Sequence, residues 1–344
     1  MTDEEAQGSR NRRRRTLLQW LQYGFVRLGI LPLLLSVAVV VFALLSSHFL
    51  TAQNMLNVAR QTTYLTMVSI GQMLALLTGG FDLSVGTILA VTSVVGAMIM
   101  SSVVAGNPNA VELAIAAGMA GGMLAGLSIG VINGLGVAFL GVSPFMMTLG
   151  MTSVGFGIAL YLTGGVPVYG MPDQFGKIFG FGQLLGIPAP VYVTVGLIAV
   201  MYVLLNWTRM GRYFYAVGGN IKASMLSGIN TKLTLLMAYM LCAALASASG
   251  IMLTARLATG EANIGASMPL DSIAACVIGG VSLRGGTGRL GNVVLGTIFI
   301  GLVENGMDIA RMQSYLQTVV IGILLIVAVA ADRLRQRFIA SLQD

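Results

Sequence analysis

Long apolar runs, separated by short polar or glycine-rich segments, fill most of this chain. A helix needs about 20 residues to cross the hydrocarbon core of a bilayer. About ten runs approach that length, although the eighth is short for a full crossing. They lie at approximately residues 30–50, 61–78, 83–104, 112–139, 144–163, 190–206, 233–256, 270–283, 291–309 and 314–331. The pattern predicts an all-α, polytopic membrane protein of about ten transmembrane helices, with glycine-broken segments.

Charged residues are few and unevenly placed. Of the 344 residues, 56% are hydrophobic and 9% are charged, against about a quarter charged in soluble domains. The net charge of +7 includes a cluster at Arg10 and residues 12–15, where basic side chains meet anionic lipid and fix orientation; this placement argues against a nucleic-acid partner. With the N-terminus inside, 15 of the 19 Lys and Arg residues are inner, and the outer ones are Arg60, Lys177, Arg256 and Arg311. The positive-inside rule then predicts two cytoplasmic termini.

One transmembrane domain accounts for nearly the whole chain. We expect residues 1–29 to form a basic cytoplasmic tail with an interfacial helix, residues 30–332 the transmembrane domain, and residues 333–344 a second cytoplasmic tail. Apolar residues recur at helical spacing within residues 16–28, which is typical of an amphipathic helix at the inner interface; a plain extension of the first span is the alternative. The first apolar run is longer than a signal-peptide core, so we interpret it as a retained span.

Residue types that carry catalysis or bind metals are nearly missing. His48 is the only histidine, and Cys242 and Cys276 lie in apolar runs without a CxxC spacing, so a His-based metal site or triad lacks its ligands. No GxxxxGK[ST] phosphate loop occurs. Residues 286–291 fit GxGxxG literally, but that motif needs a preceding strand, so a turn between spans is the better interpretation. We expect no catalytic residue, metal or cofactor, and any ATP would bind to another subunit.

A glycine-rich break that holds one carboxylate separates the second and third runs. Residues 78–86 read Thr-Gly-Gly-Phe-Asp-Leu-Ser-Val-Gly. Lipid leaves broken backbone and a lone charge unsatisfied, so such a break survives only inside protein or along a water-filled path. We predict that Asp82 caps the following helix by accepting the backbone N–H of Ser84 or Val85, with direct solute contact as the alternative. Asp271, at the start of the eighth run, has the same capping interpretation.

Small residues form a stripe along the fourth run. Five glycines recur at every fourth position, namely Gly118, Gly122, Gly126, Gly130 and Gly134. Because that face carries no side chains, another helix must approach closely, and we predict packing rather than chemistry. Asn133 beside the stripe is expected to hydrogen-bond to a neighbouring helix, with a ligand role as the alternative.

Two features of the second half of the chain concern a path through the membrane. Residues 279–286 match residues 79–86 at both leading glycines, the leucine and the final glycine. Paired glycine-interrupted segments in two halves of a transporter often mark its pathway; in a chain with 45 glycines, coincidence is the alternative. Glu304 and Asp308 are four residues apart and share one helix face, where they line an outer vestibule or face water.

The longest inner loop, residues 207–232, contains the signals of a short helix. Asn220 is a suitable N-cap and Gly228 a suitable stop for a helix that runs through Lys222 and Leu226. A rigid, capped helix between spans can transmit a push from a partner protein. An ordinary solvated loop is the alternative.

These motifs together resemble the membrane permease subunit of the ribose-type family of ABC sugar importers. The family string Gly-Gly-Ile-Asp-Leu-Ser-Val-Gly is met at residues 79–86, with Phe81 as the one departure. The strings at residues 143–150 and 270–280 also fit, and the family's cytoplasmic loop is matched at Gly211, Ala216, Gly218, Asn220, Ala223, Ser227, Gly228 and Ile229. The matches run in consistent order from about residue 54 to residue 301, and they say little about which sugar is carried.

The resemblance implies a division of labour. This chain would be the permease of an ATP-driven importer of a pentose or hexose in the bacterial inner membrane, as a homodimer or a heterodimer with a homologous permease. A separate cytoplasmic subunit would hydrolyse ATP, and a periplasmic binding protein would deliver the sugar. Coupling to the ATPase is assigned to Gly211, Ala216, Gly218, Asn220, Lys222, Ala223 and Gly228. Pathway or gating residues are expected at Gly79, Gly80, Asp82, Ser84, Gly86, Asn133, Phe145 and Asp271.

Other functions fit the sequence less well. A related ABC permease could carry another small solute, such as a branched-chain amino acid, a nucleoside or a signalling sugar. A secondary transporter would need a relay of buried carboxylates, whereas the acidic residues here lie mostly near span ends. A membrane enzyme would need a nucleophile, a base and an electrophile, and the sequence offers no such set.

Overall fold

Most of the described chain is helical. The computed structural model describes residues 31–340, and the predictions for residues 1–29 and for the end of the C-terminal tail (341–344) lie outside them. The helices are α1 (Leu31–Leu45), α2 (Ala52–Leu77), α3 (Val85–Gly106), α4 (Val111–Ala138), α5 (Pro144–Thr163), α6 (Asp173–Phe175), α7 (Ala189–Trp207), α8 (Arg209–Gly219), α9 (Ile221–Leu226), α10 (Thr231–Leu257), α11 (Met268–Ile278), α12 (Leu290–Ile309) and α13 (Ser314–Ala340). A π-helical turn (Gly176–Gly180) and an antiparallel hairpin of β1 (Gln183–Leu184) and β2 (Ile187–Pro188) precede α7.

Six of these helices are long and apolar enough to cross a membrane, namely α3, α4, α5, α7, α10 and α12. The predicted count of about ten is therefore not confirmed by length and composition. Helix α11 has 11 residues, short of the roughly 20 that a span needs. The described part of α1, which starts at the first described residue, has 15 residues, and the apolar part of α13 within the described side chains covers Ser314–Val327. Helix α2 has 26 residues, but polar side chains such as Arg60 and Gln72 recur along it.

Two predicted boundaries differ from the observed helices for local reasons. Helix α2 begins at Ala52, not near residue 61, because the side chain of Thr51 accepts the backbone N–H of Asn54 and caps its first turn. The eighth span ends at Ile278, not residue 283, because Gly280 has a φ of +79°, a left-handed conformation that ends a helix. The fifth run, predicted at residues 144–163, coincides with α5.

Helix α10 packs at the centre of the bundle against α2, α3 and α4. A Cβ atom added to Gly71 of α2 would lie 2.9 Å from the backbone oxygen of Cys242, so the two helices touch backbone to backbone. The glycine stripe of α4 divides between two neighbours. A Cβ at Gly122 would lie 2.7 Å from Thr92 O of α3, and one at Gly130 would lie 2.8 Å from Tyr239 O of α10. All five stripe glycines are buried.

Apolar side chains face outward on α5 and α7. Met146, Phe156 and Tyr161 of α5, with Val195 and Val200 of α7, are exposed. An outward apolar surface on helices that satisfy their own backbone hydrogen bonds suits a hydrocarbon environment.

Candidate functional site

The first glycine-rich break is enclosed by protein at the end of α2. Asp82 is fully buried, and its Oδ1 accepts hydrogen bonds from Ser84 N (2.8 Å) and Ser84 Oγ (2.6 Å). The predicted hydrogen bond from the Ser84 N–H to Asp82 is therefore present, but Ser84 and not Asp82 is the N-cap residue of α3. The capping prediction for Asp271 is also wrong, because Ser267 is the N-cap residue of α11 and Asp271 lies inside the helix. Ser84 Oγ in turn accepts a hydrogen bond from Nδ2 of Asn133 on α4 (2.8 Å). Carboxylate, hydroxyl and amide thus join the start of α3 to the glycine-striped helix.

Side chains from α2 and α10 complete this enclosure. The Gln72 amide, oriented so that both of its polar atoms are satisfied, donates to Asp82 O (3.0 Å) and accepts from Asp82 N (3.1 Å). A Cβ at Gly80 would lie 2.5 Å from Tyr239 Oη and 3.1 Å from Pro144 Cβ, so no larger residue fits there without movement. The break is therefore a packed, hydrogen-bonded corner.

The other expected pathway residues lie at different distances from Asp82. Phe145 stacks edge-on against Phe81, with ring centroids 6.1 Å apart, beside the break. Gly86 is the second residue of α3, where a Cβ would be 2.6 Å from Gly265 O. Asp271 instead lines a cavity near the start of α2, and Asp82 is not among the residues that line it. The structure thus divides the expected residues between two locations.

Three backbone segments meet at the C-terminal end of α2. Leu77 O accepts the backbone N–H of Gly286 (2.9 Å). A Cβ at Gly218, near the end of α8, would overlap Leu77 O and lie 2.6 Å from Gly286 N, and one at Gly285 would lie 2.9 Å from Gly79 N. We name residues 77–79, 218–219 and 285–286 the glycine junction. It brings both glycine-rich breaks into contact with the 207–232 loop.

The 207–232 loop is folded into two helices. Asn220 Oδ1 accepts the N–H of Ala223 (2.9 Å) and caps α9, and Gly228 follows that helix with a φ of +80°, so the predicted short helix is confirmed. Helix α8, which the sequence analysis did not predict, precedes it and is capped by Thr208. Tyr215 Oη of α8 donates to Gly288 O (3.1 Å), which fixes α8 against the second break.

Helix α9 presents apolar side chains that no other part of the described chain covers. Leu226 is 87% exposed, and Ile221 and Met225 are also exposed. Lys222 beside them is exposed as well. Uncovered large apolar side chains next to a charge are typical of a protein-docking surface.

Sequence comparison identifies the family. The profile described as "Branched-chain amino acid transport system / permease component" matches residues 54–329. This chain belongs to that permease family. It is 38% identical to the ribose import permease protein of Escherichia coli (strain K12) over 312 residues, which cover 90% of this chain and 94% of that protein.

Two further relatives carry other sugar names. The D-allose transport system permease protein of the same strain is 36% identical over 92% of this chain and 93% of its own length. Its L-arabinose transport system permease protein is 32% identical over 92% of both chains. No solved structure matches the chain. The family that the sequence motifs predicted is thereby confirmed.

Proposed function

We propose that this chain is the membrane-spanning subunit of an ATP-driven importer that carries a monosaccharide across the bacterial inner membrane. The observation that carries the proposal is its similarity to three permeases named for ribose, allose and arabinose, along about nine tenths of each chain. In this proposal the ten apolar runs cross the membrane and both termini are cytoplasmic. Two permease subunits form the path, and a periplasmic binding protein delivers the sugar.

Helix α9 is the proposed contact with a cytoplasmic ATP-binding subunit. Its exposed Ile221, Met225 and Leu226 offer an apolar anchor that a groove on the partner would cover. The asparagine cap and the left-handed glycine hold α9 as a rigid unit. A rigid unit moves as a whole when its partner changes conformation, so little of the displacement is lost in the loop.

The glycine junction is the proposed route from α9 to the transmembrane helices. Helix α8 leads directly into α9 and touches Leu77 O and Gly286 without intervening side chains. Contact between backbones leaves little room for slippage, because neither surface can change rotamer. Movement of α8 therefore displaces the inner end of α2 and the loop between α11 and α12 together, and each side of the path opens in turn.

The experiment that tests the function is uptake of labelled pentoses and hexoses by cells with and without this chain. Each strain is measured under ATP depletion and, separately, under a protonophore. We expect uptake that requires the chain and ATP and that survives the protonophore. Collapse of uptake with the proton gradient while ATP persists would favour a secondary transporter.

Branched-chain amino acids are the second candidate cargo, because the matching family profile is described by that transport system. Labelled leucine therefore belongs in the same panel. Chain-dependent leucine uptake without sugar uptake would replace the proposed substrate and leave the ATP-driven mechanism in place.

A further inference from the structure

A cavity of about 880 Å³ lies at the end of the bundle opposite the glycine junction. This volume lies within the range of about 300–1,000 Å³ typical of small-molecule sites. Its polar lining comes from α2, α10, α11, α12 and α13, and the side chains used below are Arg60, Gln61, Tyr64, Asp271, Glu304 and Asp308. We name this cavity the outer chamber.

The outer chamber is open to solvent at one end and has buried polar side chains at the other, which we call its floor. Asp308 at the open end is exposed and accepts a hydrogen bond from Gln317 Nε2 (2.8 Å). Deeper in, Arg60 and Asp271 expose only 9% and 5% of their surface. Burying charged side chains is costly unless they are paired or have a function. The floor is therefore better explained as a site than as packing.

Two buried polar atoms on this floor lack a hydrogen-bond partner. Arg60 Nε and Tyr64 Oη have no hydrogen-bond partner within the described chain, and both residues line the chamber. A buried donor without a partner costs about 1–3 kcal/mol, so a molecule that enters the chamber and accepts from these groups gains their hydrogen bonds. The chamber therefore offers unsatisfied hydrogen-bonding groups to a polar solute.

The charges that line the chamber indicate which kind of solute it binds. Two guanidinium groups, of Arg60 and Arg256, share the lining with the carboxyl groups of Asp271, Glu304 and Asp308. A net anion meets the carboxylates and a net cation meets the arginines. A neutral polyol has hydroxyl groups that accept from guanidinium and donate to carboxylate at once. Mixed-sign walls therefore suit a solute that donates and accepts at once, either a neutral polyol or a zwitterion, and the similarity to permeases named for ribose, allose and arabinose selects the polyol.

We infer that the outer chamber is where this permease receives its solute, and that Arg60, Tyr64, Asp271 and Glu304 bind its hydroxyl groups. The inference rests on the proposed import function and adds a location and a set of contacts to it. The Asp82 corner also holds buried oxygens without partners in the described chain, Asp82 Oδ2 and Asn133 Oδ1. Asp82 is fully buried and does not line the chamber, however, so the inference assigns that corner a structural role.

Charge-removing substitutions with matched controls test the contacts. Glu304→Gln and Arg60→Gln change chamber residues while keeping much of their shape. Glu112→Gln and Arg311→Gln make the same changes at exposed positions outside the chamber lining. We measure sugar uptake, and ATP hydrolysis by the assembled importer in the presence of sugar-loaded binding protein.

We expect uptake to fall about tenfold or more in each chamber variant, from the loss of a charged hydrogen bond. ATP hydrolysis should persist, and both controls should behave as the unmodified chain. Chamber variants that transport like their controls would overturn the inference. So would parallel loss of uptake and ATP hydrolysis, which would assign these residues to folding or coupling.

An impermeant thiol reagent tests the location without removing a charge. Cys242 and Cys276 are fully buried, so an introduced cysteine is the reactive one. Gln61→Cys puts a thiol in the chamber. Asn109→Cys puts a thiol in the exposed loop that follows α3. This loop lies at the same end of the bundle as the chamber, because Met100, near the end of α3, packs in one cluster with Tyr64. Modification should stop uptake through Gln61→Cys and spare Asn109→Cys.

Equal uptake by modified and unmodified Gln61→Cys would exclude the chamber as the receiving site. The unmodified chain separates this failure from failure of the proposed function. If it carries labelled sugar while chamber modification has no effect, only the location is wrong. If it carries leucine and no sugar, the proposed substrate fails, and the reagent still reports whether that solute uses the chamber.

Discussion

Replacing Gly218 with alanine tests whether the glycine junction couples α8 to the membrane helices. The added Cβ would overlap Leu77 O and lie 2.6 Å from Gly286 N. Both neighbours are backbone atoms, which cannot swing aside as a flexible side chain can. Either α8 moves away from α2, or the hydrogen bond from Gly286 N to Leu77 O breaks.

The cost follows from these contacts. Overpacking by one methyl group costs about 1–3 kcal/mol, and the lost hydrogen bond adds about 1 kcal/mol. Alanine has a higher helix propensity than glycine, which stabilises the variant by about 1 kcal/mol. The net destabilisation is therefore about 2 kcal/mol, concentrated where α8 meets both glycine-rich breaks.

The adjacent residue is the matched control, because a Cβ at Gly219 would meet no atom within 4 Å. We expect Gly218→Ala to lower the melting temperature of the purified protein and to reduce uptake more than ATP hydrolysis, whereas Gly219→Ala should leave all three unchanged. Identical melting and uptake in the two variants would refute the close contact and, with it, the coupling route.

The remaining predictions concern stability and docking. Gly122→Ala should destabilise the protein by about 1–3 kcal/mol, because its Cβ would lie 2.7 Å from Thr92 O; Gly150→Ala, inside α5 where a Cβ meets nothing within 4 Å, should stabilise it by up to about 1 kcal/mol in the same thermal melt. Asp82→Ala removes the acceptor of two Ser84 hydrogen bonds and should cost about 2–3 kcal/mol, with the exposed Asp173→Ala as control. Gly228→Pro demands a φ near −65° where the chain has +80° and should uncouple ATP hydrolysis from uptake; uptake at the unmodified rate would contradict the role of α9. Leu226→Ser should weaken co-purification of the ATP-binding subunit, while Leu185→Ser, equally exposed in the β1–β2 turn, should not.

The sequence was sufficient for features that depend on local chemistry. The cap at Asn220, the hydrogen bond from Ser84 to Asp82 and the glycine stripe of α4 each follow from neighbouring residue types, and the structure has all three. Helix α8 was missed because residues 209–219 combine three glycines with charged and aromatic residues, a composition that local rules assign to a loop. Its burial against α2 and α10 is a tertiary effect.

Features that depend on distant residues could not be predicted. The glycine junction joins Leu77, Gly218 and Gly286, which are far apart in the chain and carry no signal of their pairing. The outer chamber was anticipated only in part, since Glu304 and Asp308 were expected to line an outer vestibule or to face water, and both line the chamber. Arg60 and Arg256 were counted as outer-side charges, although a run of polar residues from Arg60 to Tyr64 at the start of a predicted span was visible. Polar residues within a span are themselves a signal of a site.

Helix α2 explains how the two locations can act together. It is too polar to count as a membrane span by composition, yet residues 62–77 are buried throughout, so neighbouring helices and not lipid surround its polar groups. At a rise of about 1.5 Å per residue, the 17 steps from Arg60 to Leu77 span roughly 26 Å. One end lines the outer chamber and the other accepts the hydrogen bond at the glycine junction. Because a packed helix moves as a stiff rod, a displacement imposed through α8 reaches Arg60 and Tyr64 directly. In the proposed mechanism, the polarity that excludes α2 from the apolar spans is what allows one helix both to receive the displacement from α8 and to contact the solute.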